Sequence, residues 1–226
     1  MKKSSLFMLV SVLLLILFSL LNIMIGSSTV PIKEFFLLLS ENAANSKYHG
    51  LITEYRFPKM ITAILTGAGL SVAGLQMQTV FKNPLAGPYV LGISSGAGLG
   101  VALILLSPLA SLFGSMFGFS WLLSIFAWMG AASVLLVIFA VSLRVKDVMT
   151  ILIIGVLFGS AVSAVVSVLQ YFGEQAQLKS YVIWTMGSLG GVNNEQLLIF
   201  TPIIIGGLLI SIFSSKILNI LLLGEN

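Results

Sequence analysis

Polar breaks divide the chain into six apolar runs, at residues 6–25, 60–80, 89–106, 121–143, 149–172 and 197–213. A helix crossing the roughly 30 Å hydrocarbon core of a bilayer needs about 20 mostly apolar residues, and these runs have that length. They are apolar all round. Barrel strands would instead alternate in segments of about ten, so the pattern predicts an all-α fold, a polytopic membrane helix bundle with six transmembrane helices. No run carries a central Asp, Glu, Lys, Arg or His. An intramembrane enzyme would be expected to place ionisable residues there, so the pattern argues against one.

Composition agrees with lipid as the main solvent, since 58% of the residues are hydrophobic and 8% charged, against about 25% charged in soluble domains. That excludes a soluble enzyme or a secreted domain. The first run follows Lys2 and Lys3 in the manner of a signal peptide. It is longer than the apolar core of one, and five further runs follow it. Residues 1–226 are read as a single transmembrane domain, with no polar linker longer than a loop.

An amino terminus in the cytoplasm puts Lys2, Lys3, Lys82, Arg144, Lys146 and Lys216 inside against Asp147 and Glu225. Outside, five cations then meet five acids. The inner loops are short, so cation density favours this orientation. The basic residues form no patch, which argues against nucleic acid as a partner. The chain has no cysteine and one histidine, His49, so no ligand set for a metal is visible and no cofactor is expected.

Small residues recur every fourth position: Ala63, Gly67 and Ser71, then Gly92, Gly96 and Gly100, then Gly155, Gly159, Ser163 and Ser167. Such stripes let helix backbones approach closely in lipid. The last stripe has a second reading, as the lining of a pathway together with Ser160 and Gln170. Between the second and third runs, Pro84 and Pro88 bar helix continuation and mark a tight turn. The glycine-rich stretch from Trp184 through Gly187 and Ser188 to Gly191 is not continuously helical in pattern. At membrane depth that is tolerated only beside protein or a water-filled cavity.

The run Arg56-Phe57-Pro58-Lys59, then Gly67, Gly74, Gln78, Asn83-Pro84-Leu85-Ala86, Pro88, Leu91-Gly92 and Gly96-Ala97 resembles the FecCD/BtuC-like permease family of ABC importers for iron siderophores, haem and vitamin B12. Trp184, Gly187-Ser188-Leu189 and Leu223-Gly224-Glu225 extend the resemblance over nearly the whole chain. It implies a permease subunit without covalent chemistry of its own. Its partners would be a second permease copy, as a homodimer, or a related permease; separate ABC ATPase subunits; and a periplasmic or lipid-anchored substrate-binding protein. The chain has no G-x-x-x-x-G-K phosphate loop, which fits an ATPase on another polypeptide.

The resemblance assigns binding-protein docking to Arg56 and Lys59, whose bland alternative is interfacial anchoring by snorkelling. It assigns the cytoplasmic gate to Val145, Lys146, Asp147, Val148, Met149 and Thr150, and ATPase coupling to Gly224 and Glu225. The pathway falls to Gly155, Gly159, Ser163, Ser167, Gln170, Trp184, Gly187 and Ser188. Relatives have about ten spans against six here, so a truncated, non-transporting remnant or membrane scaffold is the second reading.

Overall fold

The computed structural model describes residues 3–34, 47–109 and 118–223, and among these every regular element is helical. The first apolar run forms α1 (Lys3–Met24), free of Pro and Gly until Gly26. A π-helical turn (Leu51–Arg56) runs directly into α2 (Phe57–Val80), giving one 30-residue helical stretch. The second span therefore begins well before residue 60, and the segment expected to be loop up to Phe57 is partly helix. Pro58 lies inside this stretch, two residues past the π-helical turn, the kind of local adjustment that accommodates a proline in a spanning helix.

The third run is not one continuous helix. Residues Pro88–Leu91 make a 3-10 turn, Gly92 takes the left-handed conformation at φ 75°, and only then does α3 (Ile93–Leu105) begin. Thirteen helical residues rise about 20 Å, short of the roughly 30 Å core. Among the described residues five helices are long and apolar enough to cross a membrane, and the third run gives a shorter apolar helix. The cause is local. Gly87 and Pro88 stop the backbone before α3, Gly92 breaks it once more, and α3 ends at Leu106 just before Pro108.

The turn ahead of α3 is held by its own side chains. Gln78 Nε2 donates to the Pro84 carbonyl at 3.0 Å, and the Leu85 N–H donates to Asn83 Oδ1 at 2.9 Å. Lys82 reverses the chain at φ 46°. The motif residues Gln78, Asn83 and Pro84 are therefore the fasteners of a turn.

The remaining helices are α4 (Phe119–Ser142), α5 (Val148–Phe172), α6 (Gln175–Thr185) and α7 (Asn194–Leu223). The described chain divides into two compact units, Met1–Ala68 with Leu189–Gly207, and Gly69–Ser188 with Leu208–Asn226. In the first, Ile23, Val30 and Ile52 form a small core flanked by Tyr48, Leu51 and Met60. In the second, the short α3 is the centre and packs on α4, α5 and α6. Val101, Ala102 and Ile104 are fully buried.

Backbone proximity builds that centre. A Cβ at Gly96 would lie 2.4 Å from the Gly130 carbonyl oxygen, and one at Gly100 1.9 Å from that of Phe126. Glycine at these positions brings α3 and α4 into main-chain contact, the arrangement that small-residue stripes permit in lipid. By contrast, the large apolar side chains of α1 up to Leu21 are exposed, and α7 has no buried residue among those described. In water such surfaces would aggregate, whereas lipid tails solvate them.

Candidate functional site

On α5 the predicted pathway stripe divides in two. Gly155, Gly159, Val162 and Val166 are buried, spaced as one helix face. A Cβ on Gly159 would meet Gly92 Cα at 3.1 Å, and one on Gly155 would meet Leu91 Cα at 3.0 Å. Gly155 and Gly159 are thus covered by the backbone before α3, as the packing reading of the stripe expects. Ser160, Ser163 and Ser167 instead lie on the exposed face at i, i+3 and i+7. Each hydroxyl donates to the carbonyl four residues back, at 2.9, 2.9 and 3.0 Å. Their donors are thereby satisfied within the helix while their oxygens still offer lone pairs. Ser163 Oγ also lies 3.5 Å from Ser95 Oγ on α3, and Gln170 is half-buried.

The sequence pattern did not reveal α6. Its signal was Glu174 three residues ahead of Gln177: the Glu174 N–H donates to Gln177 Oε1 at 3.1 Å, completing a capping box. α6 docks on α3 through Tyr181, which is buried, and Gly98 leaves it room, since a Cβ there would lie 3.2 Å from the phenol oxygen. Trp184 is half-buried against the cluster of Val101, Ala102, Leu105, Leu106, Val166 and Tyr181. Beyond Thr185 the backbone leaves the helix until Asn194. Gly187 stands at φ 77°, and Gly187 and Ser188 are exposed. At the far end Asn193 Oδ1 accepts from the Gln196 N–H at 2.8 Å and starts α7.

The α4–α5 connection spans Leu143 to Asp147. Asp147 is the N-cap of α5: its Oδ2 accepts from the Thr150 N–H at 2.8 Å and from the Thr150 hydroxyl. The hydroxyl first, and the backbone N–H second, hold the Asp147 carboxyl below its ordinary range. Lys146, Val148, Met149 and Thr150 are exposed, and Val145 is half-buried.

Arg56 and Lys59 do not form an outward-facing pair. Arg56 is only 7% exposed. Its Nη1 donates to the Ile23 carbonyl, and its Nη2 to the Ser28 carbonyl and, at 3.2 Å, to Ser28 Oγ. A guanidinium so engaged has turned its fork inward, toward the turn after α1. Lys59, three residues on, is exposed. Gly224 and Glu225 lie outside the described residues, as does the turn near Gly114. No group of three or more His, Cys, Asp or Glu side chains able to hold a metal occurs among the described residues.

A profile of the FecCD transport family matches residues 13–226. The hemin transport system permease protein HmuU of Yersinia pestis is 32% identical over 196 residues, covering 84% of this chain and 56% of that protein. The vitamin B12 import system permease protein BtuC of Photorhabdus laumondii is 36% identical over 178 residues, 77% of this chain and 50% of its own length. The molybdate import system permease protein MolB of Haemophilus influenzae is 30% identical over 197 residues, 83% and 55% respectively. A solved structure, the inward-facing conformation of a transporter assigned to the metal-chelate type of ABC transporters, superposes with a TM-score of 0.76 at 29% identity. It covers 93% of this chain and 62% of its own. The chain thus spans about half the length of the curated relatives it matches.

Proposed function

Because the chain belongs to the FecCD transport family, we propose that it acts as a membrane permease subunit of an ABC importer carrying an iron-siderophore, haem or cobalamin type of chelate. The observation that carries this reading is the likeness, at 29% identity and over 93% of the chain, to an ABC transporter of the metal-chelate type. The permease would supply a path and alternating access, with ATP hydrolysed on separate subunits. A second permease copy and an external binding protein complete the assembly.

The residues divide into roles accordingly. The exposed hydroxyl row of Ser160, Ser163 and Ser167, with Gln170, lines the pathway. Hydroxyl oxygens whose protons are already committed to the helix offer weak, adaptable contacts, suited to a cargo that must be released again. Trp184, Gly187 and Ser188 shape the external mouth, where an irregular backbone needs shelter from lipid. Residues Val145 to Thr150 close the cytoplasmic end, with the Asp147 cap fixing where α5 starts. Lys59 meets an acidic surface on the binding protein and contributes chiefly to association rate.

The assembled permease, with its cognate ATPase and binding protein in proteoliposomes, is expected to accumulate one member of a panel of ferric siderophores, haemin and cobalamin. Accumulation should require hydrolysable ATP. Absence of ATP-driven uptake for every member would refute the proposal.

The amino terminus is proposed to be cytoplasmic, from the cation density of the short loops. In this cysteine-free background, Lys146→Cys should resist an impermeant thiol reagent in intact cells and react once the membrane is opened. Ready labelling in intact cells would reverse the orientation.

A further inference from the structure

We infer that Arg56 is a positioning residue, a clamp that ties the end of the first span to the start of the second and so sets where the neighbouring external face is presented. The end of a helix leaves its last four carbonyls without intrahelical donors, and in α1 (Lys3–Met24) the Ile23 carbonyl is one of them. Arg56, at the last position of the π-helical turn, reaches across and donates to it through Nη1. Through Nη2 the same fork holds the carbonyl and the hydroxyl of Ser28, on the far side of the turn that leaves α1. One planar group therefore spans residues 23 and 28 and joins both to the chain at 56. The partial negative charge of the α1 carboxyl-terminal end favours a cation there.

Two further observations fit the clamp. A Cβ on Gly26 would lie 2.9 Å from Arg56 Nη2 and 3.3 Å from Cζ, so the guanidinium rests against a backbone that only glycine leaves bare. The turn it closes also folds inward: the Val30 N–H donates to the Met24 carbonyl at 2.9 Å, and Val30, 2% exposed, packs on Ile23 and Ile52. Arg56 thus locks a small apolar core at the end of α1. Lysine cannot replace it, because a single ammonium is a point charge and cannot serve acceptors on both sides of the turn with fixed geometry. The functional consequence rests on the docking reading of Lys59, which follows Arg56 by three residues, whereas the clamp itself does not.

The cysteine-free chain permits a direct test on the detergent-purified protein, with Val30→Cys as a reporter and a water-soluble maleimide as the probe. With Arg56 present the thiol should be protected. In Arg56→Met it should label about tenfold faster or more, the factor for losing one hydrogen bond to a charged group. Arg56→Lys should label nearly as fast as Arg56→Met. Gly26→Ala keeps every charged side chain but displaces the guanidinium, so it should raise labelling too, and Gly26→Ala with Arg56→Met should label no faster than Arg56→Met alone. Lys59→Glu should leave the thiol protected whatever it does to docking, which separates failure of the clamp from failure of the docking reading. The clamp is overturned if Arg56→Met leaves the thiol as protected as the parent, if Arg56→Lys restores full protection, or if Lys59→Glu alone unmasks it.

Discussion

Gly100→Ala and Gly130→Ala are each expected to remove a large part of the stability and lower the yield of folded protein, while Gly67→Ala and Gly74→Ala should leave it intact or slightly stabilised. A methyl group on Gly100 would stand 1.9 Å from the Phe126 carbonyl oxygen, and one on Gly130 2.0 Å from that of Gly96. Ordinary contact begins at 3.4 Å, so α3 and α4 would have to separate by the difference, about 1.5 Å. The atoms met are main-chain, and no rotamer change can relieve them. Overpacking a core typically costs about 1–3 kcal/mol, and a backbone clash belongs at or above the top of that range. Total stability is only about 5–15 kcal/mol. Separation also forfeits the dispersion contacts that hold helices together in lipid. Gly67 and Gly74 have open space where a Cβ would go, and there alanine gains about 0.5–1 kcal/mol of helix preference. Monodisperse yield in detergent and apparent melting temperature would report the contrast. A normal melting temperature for Gly100→Ala would show that the crossing is looser than drawn.

Gly92→Ala should come next in severity, for two reasons that add. Gly92 closes the 3-10 turn at φ 75°, a conformation that costs an L side chain about 1–2 kcal/mol. A Cβ there would also lie 2.9 Å from Gly159 Cα and 3.1 Å from the Gly155 carbonyl oxygen, which brings the expected total to about 2–5 kcal/mol. Gly187 separates the two contributions. It has φ 77° but nothing within 4 Å of a Cβ, so Gly187→Ala should lose only the backbone part. Thermal melts of the two variants side by side test this. Equal losses would mean that the contact with α5 contributes nothing and that the turn alone carries the cost.

Much of the site was legible one residue at a time, and less of it in combination. The spacing of Gly155 and Gly159 pointed to a flat stripe, but two readings of a stripe look identical in sequence. Only the position of Gly92 against Gly159 shows that these glycines are covered while Ser160, Ser163 and Ser167 are not. Arg56 and Lys59 read as a pair because three residues separate them. In the fold one points into the turn after α1 and the other to the exterior. The carbonyls that captured Arg56 belong to residues 28 and 33 positions away, a distance over which no local pattern speaks. α6 was missed because its eleven residues are neither long nor apolar enough to stand out, and its capping box uses Glu174 where Ser or Thr is the familiar signal.

The sequence by itself determined the solvent, the helical class and the family. Each follows from quantities that add along the chain: apolar length, charge density and the order of motif residues. Tertiary structure decided which apolar run lies at the centre. By hydropathy 89–106 looked like any other span, yet its glycines admit α4, α5 and α6 so closely that this shortest apolar helix became the core. Hydropathy measures transfer into an apolar phase, and lipid and protein interior are both apolar. Which of the two receives a helix depends on how nearly backbones can approach, and that is settled only when the facing residues meet.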